Sequence, residues 1–447
     1  VMLNAPKAGL RTLNHRSDWK TARLKFLFKR ETRAVLATDE VVTAFRDGTV
    51  TLRRNRREEG FTFAEQEIGY QGIEPGDLVI HAMDGFAGAI GVSDSRGKGS
   101  PVLSIATPIT GAEPRFWAYY LRNLAVTGFI QSLAKGIRER STDFRWKDAS
   151  NLLVNFPDLA TQRRIADFLD RETARIELLI EKKQRFIETL SESRLTAVPT
   201  VIRAFGGPVM KETPDTFDIQ FDANGWSVGR VKHVVELMTS GSRGWSDLIQ
   251  DDGELFLQSG NIGRRNELVL ADAKRIAPQT NAEARRTRLK NGDTLVCITG
   301  GRTGAVGFLE TVPETAYVNQ HICLLRPRRT KIYPKLLSQS LYSEIGQRQF
   351  SFFQYGLKQG LGFSQVGEVR IPIPPINLQP SISAEIARIF ERVDKTQSLQ
   401  ERSIDRLKEY RSALITAAVT GQIDVDTLAR SGATDRRLDQ IQEELQA

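Results

Sequence analysis

Few residues in this chain are spaced for catalysis. Pro157-Asp158 followed by Glu181-Lys182-Lys183 has the order in which nucleases carry their metal-binding carboxylates and lysine, PD…ExK. Glu181 and Lys183, however, fall on a heptad-patterned helix, and a seam position accounts for Lys183. His321, Cys323 and Cys297 are zinc-ligand types without a CxxC spacing, and they read as a strand histidine and two buried thiols. The run Gly300-Gly-Arg-Thr-Gly304 offers backbone donors to a phosphate, but no Lys-Ser/Thr follows as in a Walker A loop, and Gly97-Lys98-Gly99 fails in the same way. It reads as a tight turn with Arg302 at its tip, within reach of a groove. Neither a G-x-G-x-x-G fingerprint nor an Asp/Asn-Pro-Pro-aromatic tetrad occurs. The chemistry on offer is recognition, and no metal site is expected.

The residues suited to recognition are basic and planar-polar. Arg53, Arg54, Arg56 and Arg57 form one cluster; Arg138, Arg140 and Arg145 form a second; Arg243, Gln258, Asn261, Arg264, Arg265 and Arg302 lie in loops further on, and Gln354, Lys358 and Gln359 follow them. Lys and Arg neutralise phosphates, while Arg, Asn and Gln present the planar donors and acceptors that read base edges. A solvated loop is the plain alternative at each position.

These loops need a frame, and the chain supplies it twice. From Pro157 to Val198, Ile165, Leu169, Ile176, Leu179, Phe186 and Leu190 mark the seam of a long helix, with Glu172 and Lys183 as polar members. At an offset of 221, Ile386, Phe390, Val393, Ile404, Leu407 and Leu414 mark a second, with Gln397, Gln400 and Arg411 as exceptions. Each helix follows a proline-punctuated strand, and the copies close on Ala197-Val198 and Ala418-Val419. Upstream, Trp19–Phe28 matches Trp226–Val235, and Glu74–Asp94 matches Lys290–Glu310 at an offset of 216; each of the latter reads as turn, strand, glycine loop, strand. Helical segments 116–133 and 333–353 come next. The predicted plan is therefore a globular unit and a long helix, twice. Outward residues such as Arg163, Arg171, Lys182, Arg388, Arg392 and Lys395 are candidate partner contacts.

The 447 residues, 40% hydrophobic, suit two or three globular domains. With 63 basic and 54 acidic side chains, the net charge of +9 points toward a polyanionic partner, nucleic acid first. Two cysteines imply no disulfide framework. No apolar run approaches the roughly 18 residues of a membrane span, and the first residues lack a secretory pattern, so a cytoplasmic location is expected. Helices of about 36 residues, packed antiparallel, extend roughly 50 Å. That span matches roughly 13–15 base pairs of duplex, which suits two separated and different half-sites related by a pseudo-twofold axis.

The order IPIPPINLQ before a heptad helix, GDLVIHAM…GVSD in the first unit, VNQHICLLRP from Val318 and AAVTGQIDV from Ala417 resembles the specificity (S) subunit of type I restriction-modification systems over about residues 18–425. The resemblance implies a non-catalytic subunit with two target-recognition domains that read a bipartite asymmetric sequence in double-stranded DNA. It also implies helices that set the spacer and dock two modification (M) subunits, which bind S-adenosylmethionine and methylate adenine, with motor and nuclease (R) subunits joining that core. The expected fold is α+β: mixed α/β recognition domains at 18–156 and 222–373, helices at 157–198 and 374–420 in an antiparallel coiled coil, a linker at 199–221 and a tail at 421–447. A coiled-coil scaffold without DNA affinity, or a self-sufficient nuclease or methyltransferase, are the alternatives.

Overall fold

The computed structural model describes residues 18–56, 68–109, 111–133, 144–213, 216–220, 225–241, 243–277, 279–354 and 360–443. It is a mixed α/β structure in which two long helices, Leu159–Ala204 and Gln379–Val419, divide between two compact units. One unit is Val1–Lys183 with Gln400–Ala447; the other is the contiguous stretch Gln184–Leu399.

Each unit is built on a four-stranded antiparallel sheet. In the first, the strand order is Phe28–Arg30, Leu103–Pro108, Leu78–His81, Ile90–Val92; in the second it is Val235–Ser240, Ile322–Pro327, Thr294–Cys297, Val306–Phe308. The inner strands are covered on both faces. Leu78, Val79 and Ile80 in one unit, and Leu295, Val296 and Cys297 in the other, are completely buried, which is why these strands read as unbroken apolar runs rather than alternating ones. A helix begun by proline covers each sheet, Pro114–Val126 and Pro334–Tyr342. A two-stranded ribbon then leads to each long helix: Lys20–Arg23 pairs with Leu153–Phe156, and Ser227–Arg230 with Arg370–Ile373. The second layers differ. The first unit carries two small ribbons, whereas the second has another four-stranded sheet, Ile249–Gln250, Lys274–Ile276, Glu254–Leu257 and Ala316–Val318.

The repeated motifs have local physical reasons. In Gly88-Ala-Ile-Gly91 and Gly304-Ala-Val-Gly307 the first glycine has φ of +93° or +90°. A side chain at the second would lie 1.9 Å from the Gly48 carbonyl, or 2.5 Å from Leu268. In Gly-Asp, the buried carboxylates Asp77 and Asp293 accept from the backbone of Glu74 and Lys290 at 2.8 Å, closing the turn. Each also takes a forked arginine, but from different places: Arg33 at 2.5 and 3.1 Å, Arg326 at 2.9 and 2.7 Å. At each long-helix start a buried glutamine five residues after a proline, Gln162 or Gln379, donates to that proline's carbonyl at 2.9 Å. It accepts from Glu113 N at 3.0 Å or Tyr333 N at 2.6 Å, so it ties the long helix to the start of the sheet-covering helix.

These glutamines correct the register. Pro157 and Gln162 correspond to Pro374 and Gln379 at an offset of 217, not the 221 inferred from the seam. The same offset relates the charge pair Glu177–Arg411 in the first unit to Asp394–Arg194 in the second. Within each unit the helix segments run antiparallel: Lys183 Nζ donates to Gln400 Oε1 at 2.9 Å in one, and Gln397 Nε2 to Ser191 Oγ at 2.7 Å in the other.

Ile165, Leu169, Ile176, Ile386, Phe390, Val393, Ile404, Leu407 and Leu414 are buried; Leu179 and Leu190 are half-buried. Phe186 is not in the seam. It is 45% exposed, and Ile187, half-buried, is the residue whose carbonyl meets Gln397 at 3.2 Å. An α-helix turns every 3.6 residues, so a strict 3.5 spacing drifts off the contact line, and after Lys183 the seam advances by four.

The stretch 199–221 is not a plain linker. The helix continues through Pro199 to Ala204, and a hairpin, Val209–Thr213 with Thr216–Gln220, follows. Proline forfeits a helical hydrogen bond, but Ala197, Val198, Val201 and Ile202 bury into the second unit's core on either side of it. The described part of the tail, to residue 443, is helical. Asp424 caps helix Val425–Ser431 and helix Ala433–Glu443 follows, with Leu438 and Ile441 buried. Arg164 pairs with Asp426 at 3.1 Å and Arg175 with Asp435.

Removing a buried partner exposes the strength of these ties. Asp293→Ala leaves Arg326, 12% exposed, without its counter-charge; the expected destabilisation is about 3–5 kcal/mol, measured by urea unfolding. Arg194→Met strips donors from Asp394 and the Phe390 carbonyl, and its expected cost is about 2–3 kcal/mol in the same assay.

Candidate nucleic-acid interface

In the second unit the chain leaves the main sheet at Ser240 and Cys297 and returns at Val306 and Ile322, all at one end, because Ser240 pairs with Cys323, Cys297 with Ile322 and Val296 with Val306. Loops 241–248, 258–268, 298–305 and 319–321 therefore gather there. Hydrogen bonds lock them together: Arg302 donates to the Gly260 carbonyl at 2.9 Å, Asn319 N to Leu257 O at 3.0 Å, and Ile298 N to His321 O at 2.9 Å. The sheet thus brings Arg243, Gln258, Asn261, Arg264, Arg265 and Arg302, scattered over 60 positions of sequence, to one end.

Their states differ. Arg243 and Arg264 are exposed. Arg302 is half-buried, committed to Gly260. Asn261 is 7% exposed, its amide oxygen accepts from Gln258 N at 2.8 Å, and its amide nitrogen donates to Val269 O at 3.0 Å. It shapes the loop rather than facing a ligand, a correction that follows from the loop's own unpaired backbone groups. Half-buried Gln258 begins the same turn.

Loop 264–267 is fastened to the sheet-covering helix Pro334–Tyr342 and to the long helices. The Tyr342 hydroxyl donates to Arg264 O at 3.2 Å, and Ser338 Oγ meets Asn266 Oδ1 at 2.7 Å, with Asn266 held at φ +64°. Arg194, in the seam of the first long helix, donates to Arg265 O at 2.6 Å while its guanidinium lies 4.1 Å from the Phe390 ring. Arg265 itself lies 3.9 Å from Asp394. One buried arginine therefore joins the seam and the loop.

A further residue at this end did not figure among the candidates. The Gln320 amide nitrogen donates to His321 Nε2 at 3.1 Å, and its buried Oε1 has no partner; His321 Nδ1 meets Thr299 Oγ1 at 2.5 Å. A planar amide with an unsatisfied acceptor is suited to a base edge. Its signal in the sequence was the polar Asn319-Gln320-His321 interrupting two apolar strands.

In the first unit, the equivalent sheet end bears the hairpin Val42–Ala44/Val50–Leu52, loop 82–89 and Arg145, with Phe144 N donating to Ala82 O at 3.0 Å. Arg53 donates to Thr43 Oγ1 at 3.0 Å; Arg54 pairs with Glu40 and Arg56 with Asp47, both at 2.5 Å. Burial raises the Asp47 pKa, but hydrogen bonds from Arg56 and Thr49 outweigh it and hold the carboxyl at about 2. Arg56 also lies 4.5 Å over the Phe45 ring. Arg57, Arg138, Arg140, Lys358 and Gln359 lie outside the described residues.

The nuclease-like residues do not converge. Asp158 caps the long helix, accepting from Thr161 N at 3.0 Å, while Lys183 lies along the seam, where burial lowers its pKa. Among the described residues no group of three ligating side chains is placed to hold a metal ion, and no helix is long and apolar enough to cross a membrane. Burial pushes the thiol of Cys323 up to about 12.

Residues 224–409 match the family of the type I restriction modification DNA specificity domain. The specificity subunit of the type I restriction enzyme EcoBI from Escherichia coli is 21% identical over 368 residues, covering 78% of this chain and 74% of that protein. Among solved structures, a chain from a study of complex assembly and conformational transition in a type I R-M system superposes with a TM-score of 0.62 at 18% identity, covering 91% of this chain and 99% of its own. The HsdS subunit from Thermoanaerobacter tengcongensis is also 18% identical, with a TM-score of 0.47 over 91% of this chain and 97% of its own. The specificity-domain match thus falls on the second unit and part of its long helices, and the first unit repeats the same four-stranded frame.

Proposed function

We propose that this chain reads a bipartite, asymmetric site in double-stranded DNA, one part with the loop-bearing sheet end of each unit, for a complex whose catalytic subunits are separate polypeptides. The observation that carries the reading is the convergence of Arg243, Arg264 and Gln320 at one sheet end in the second unit. Exposed guanidiniums suit phosphates, and a buried amide acceptor suits a base edge. The two long helices act as the spacer. Their outward faces, with Arg163, Arg171 and Arg388 exposed, dock two M subunits that bind S-adenosylmethionine and methylate adenine, and R subunits join for cleavage. The complex works in the cytoplasm.

Single-molecule methylome sequencing of the host, with the gene intact and deleted, is expected to show one bipartite adenine-methylated motif disappearing. An unchanged methylome in cells that express the chain and its M partner would overturn the proposal. Within it, Arg243→Ser and Arg264→Ser are each expected to lower the slope of log affinity against log salt by about 1 with no change in preferred sequence. Gln320→Ala is expected to relax the motif at a single position in one half-site. Removing one heptad from each of the two paired segments is expected to change the spacer length in the methylated motif.

A further inference from the structure

Two basic runs stand apart from the proposed reading loops. Residues 288–290 (Arg-Leu-Lys) and 326–331 (Arg-Pro-Arg-Arg-Thr-Lys) meet at the opposite end of the second unit's main sheet, where Val235 pairs with Pro327 and Thr294 with Leu325. The strand between the two ends has six residues, about 20 Å. The runs line a cleft of about 880 Å³ with Arg288, Lys290, Arg326, Arg328 and Arg329, against one carboxylate, Glu236. Arg326 is consumed by Asp293. Arg288 is anchored by Thr315 Oγ1 at 3.0 Å and Arg329 by the Asn291 carbonyl at 2.8 Å, neither of which cancels charge. Lys290 and Arg328 are exposed.

Four cations around one concavity, against the single carboxylate of Glu236, repel one another, and a bound polyanion relieves that repulsion. Guanidiniums match phosphate oxygens in pairs, and the volume lies in the range of small-ligand sites. Among the described residues the first unit does not repeat these basic runs. There the equivalent turn is Glu74-Pro75, with Glu74 paired to Arg96, and the strand ends in Pro108-Ile109. The cleft is thus outside the frame common to both copies, and its ligand binds once per chain.

We propose that this cleft binds consecutive phosphates, supplied either by a free polyphosphate such as a nucleoside triphosphate or by a stretch of nucleic-acid backbone beyond the segment read by the loops. The test uses the full chain with its M partner and two probes: inorganic tripolyphosphate, and a duplex carrying the methylated motif, trimmed or extended by several base pairs. Lys290→Ser/Arg328→Ser keeps the Asp293–Arg326 pair; Arg203→Ser/Lys274→Ser removes the same charge elsewhere in the unit. The cleft variant is expected to bind at least one probe ten-fold or more weakly at 0.1 M salt, with the control unchanged. A loss confined to tripolyphosphate identifies a free ligand, and a loss confined to the extended duplex identifies backbone. Wild-type affinity of the cleft variant for both probes, an equal loss in the control, or tighter binding of hexaglutamate than of tripolyphosphate would each overturn the assignment.

Discussion

An apolar stripe running the length of a 46-residue helix has to be covered, and here the cover is another long stretch of the same chain. Apolar contact alone sets direction poorly, since one turn of slip exchanges one aliphatic residue for another. Charges in the seam are less tolerant. Glu177–Arg411 and Asp394–Arg194 hold each half of the pairing in register, as a polar seam residue does in shorter coiled coils. Arg194 goes further, because its second amino group is spent on the carbonyl of Arg265. The register of the helices and the position of a surface loop are therefore one constraint.

The two units show which parts of the design are frame. The buried glutamine at the long-helix start and the aspartate of the Gly-Asp turn do the same work in both. The aspartate's arginine does not come from the same place: Arg33 follows an edge strand, whereas Arg326 lies on an inner one. A buried carboxylate needs a counter-charge, but any backbone position within reach can supply it. The second layers are free of even that requirement, and they differ in strand number and pairing. Divergence is thus concentrated in the second layers rather than in the frame.

Long-range features of the fold were legible because they are written as periodicity: duplicated strands, glycine loops and helices recur in order. Register was not, because a helical pattern shifted by four residues looks nearly the same, and it takes the hydrogen bonds of Gln162 and Gln379 and the two charge pairs of the seam to separate 217 from 221. Phe186 is the same difficulty at the level of one side chain. Asn261 shows the limit of reasoning from residue type, since an amide that suits a base edge equally suits a carbonyl eight residues further along its own loop. The helix through Pro199 rests on core contacts that no local signal carries. The convergence of the loop residues, and of the basic runs at the other sheet end, depends on strand pairings far apart in sequence.

The way the chain is divided also sets an order of assembly. The second unit is contiguous from Gln184 to Leu399, whereas the first combines the earliest residues with Gln400 onward. Domains fold as their residues leave the ribosome, ordinarily the N-terminal one first. Here that order is inverted: the first unit's helix from Leu159 has no seam partner until the segment around Leu407 and Leu414 has been made, and the cover provided by Leu438 and Ile441 arrives later still. The first unit's helix segment is made early and paired late, and its apolar stripe is without its seam partner while the whole of the second unit is synthesised.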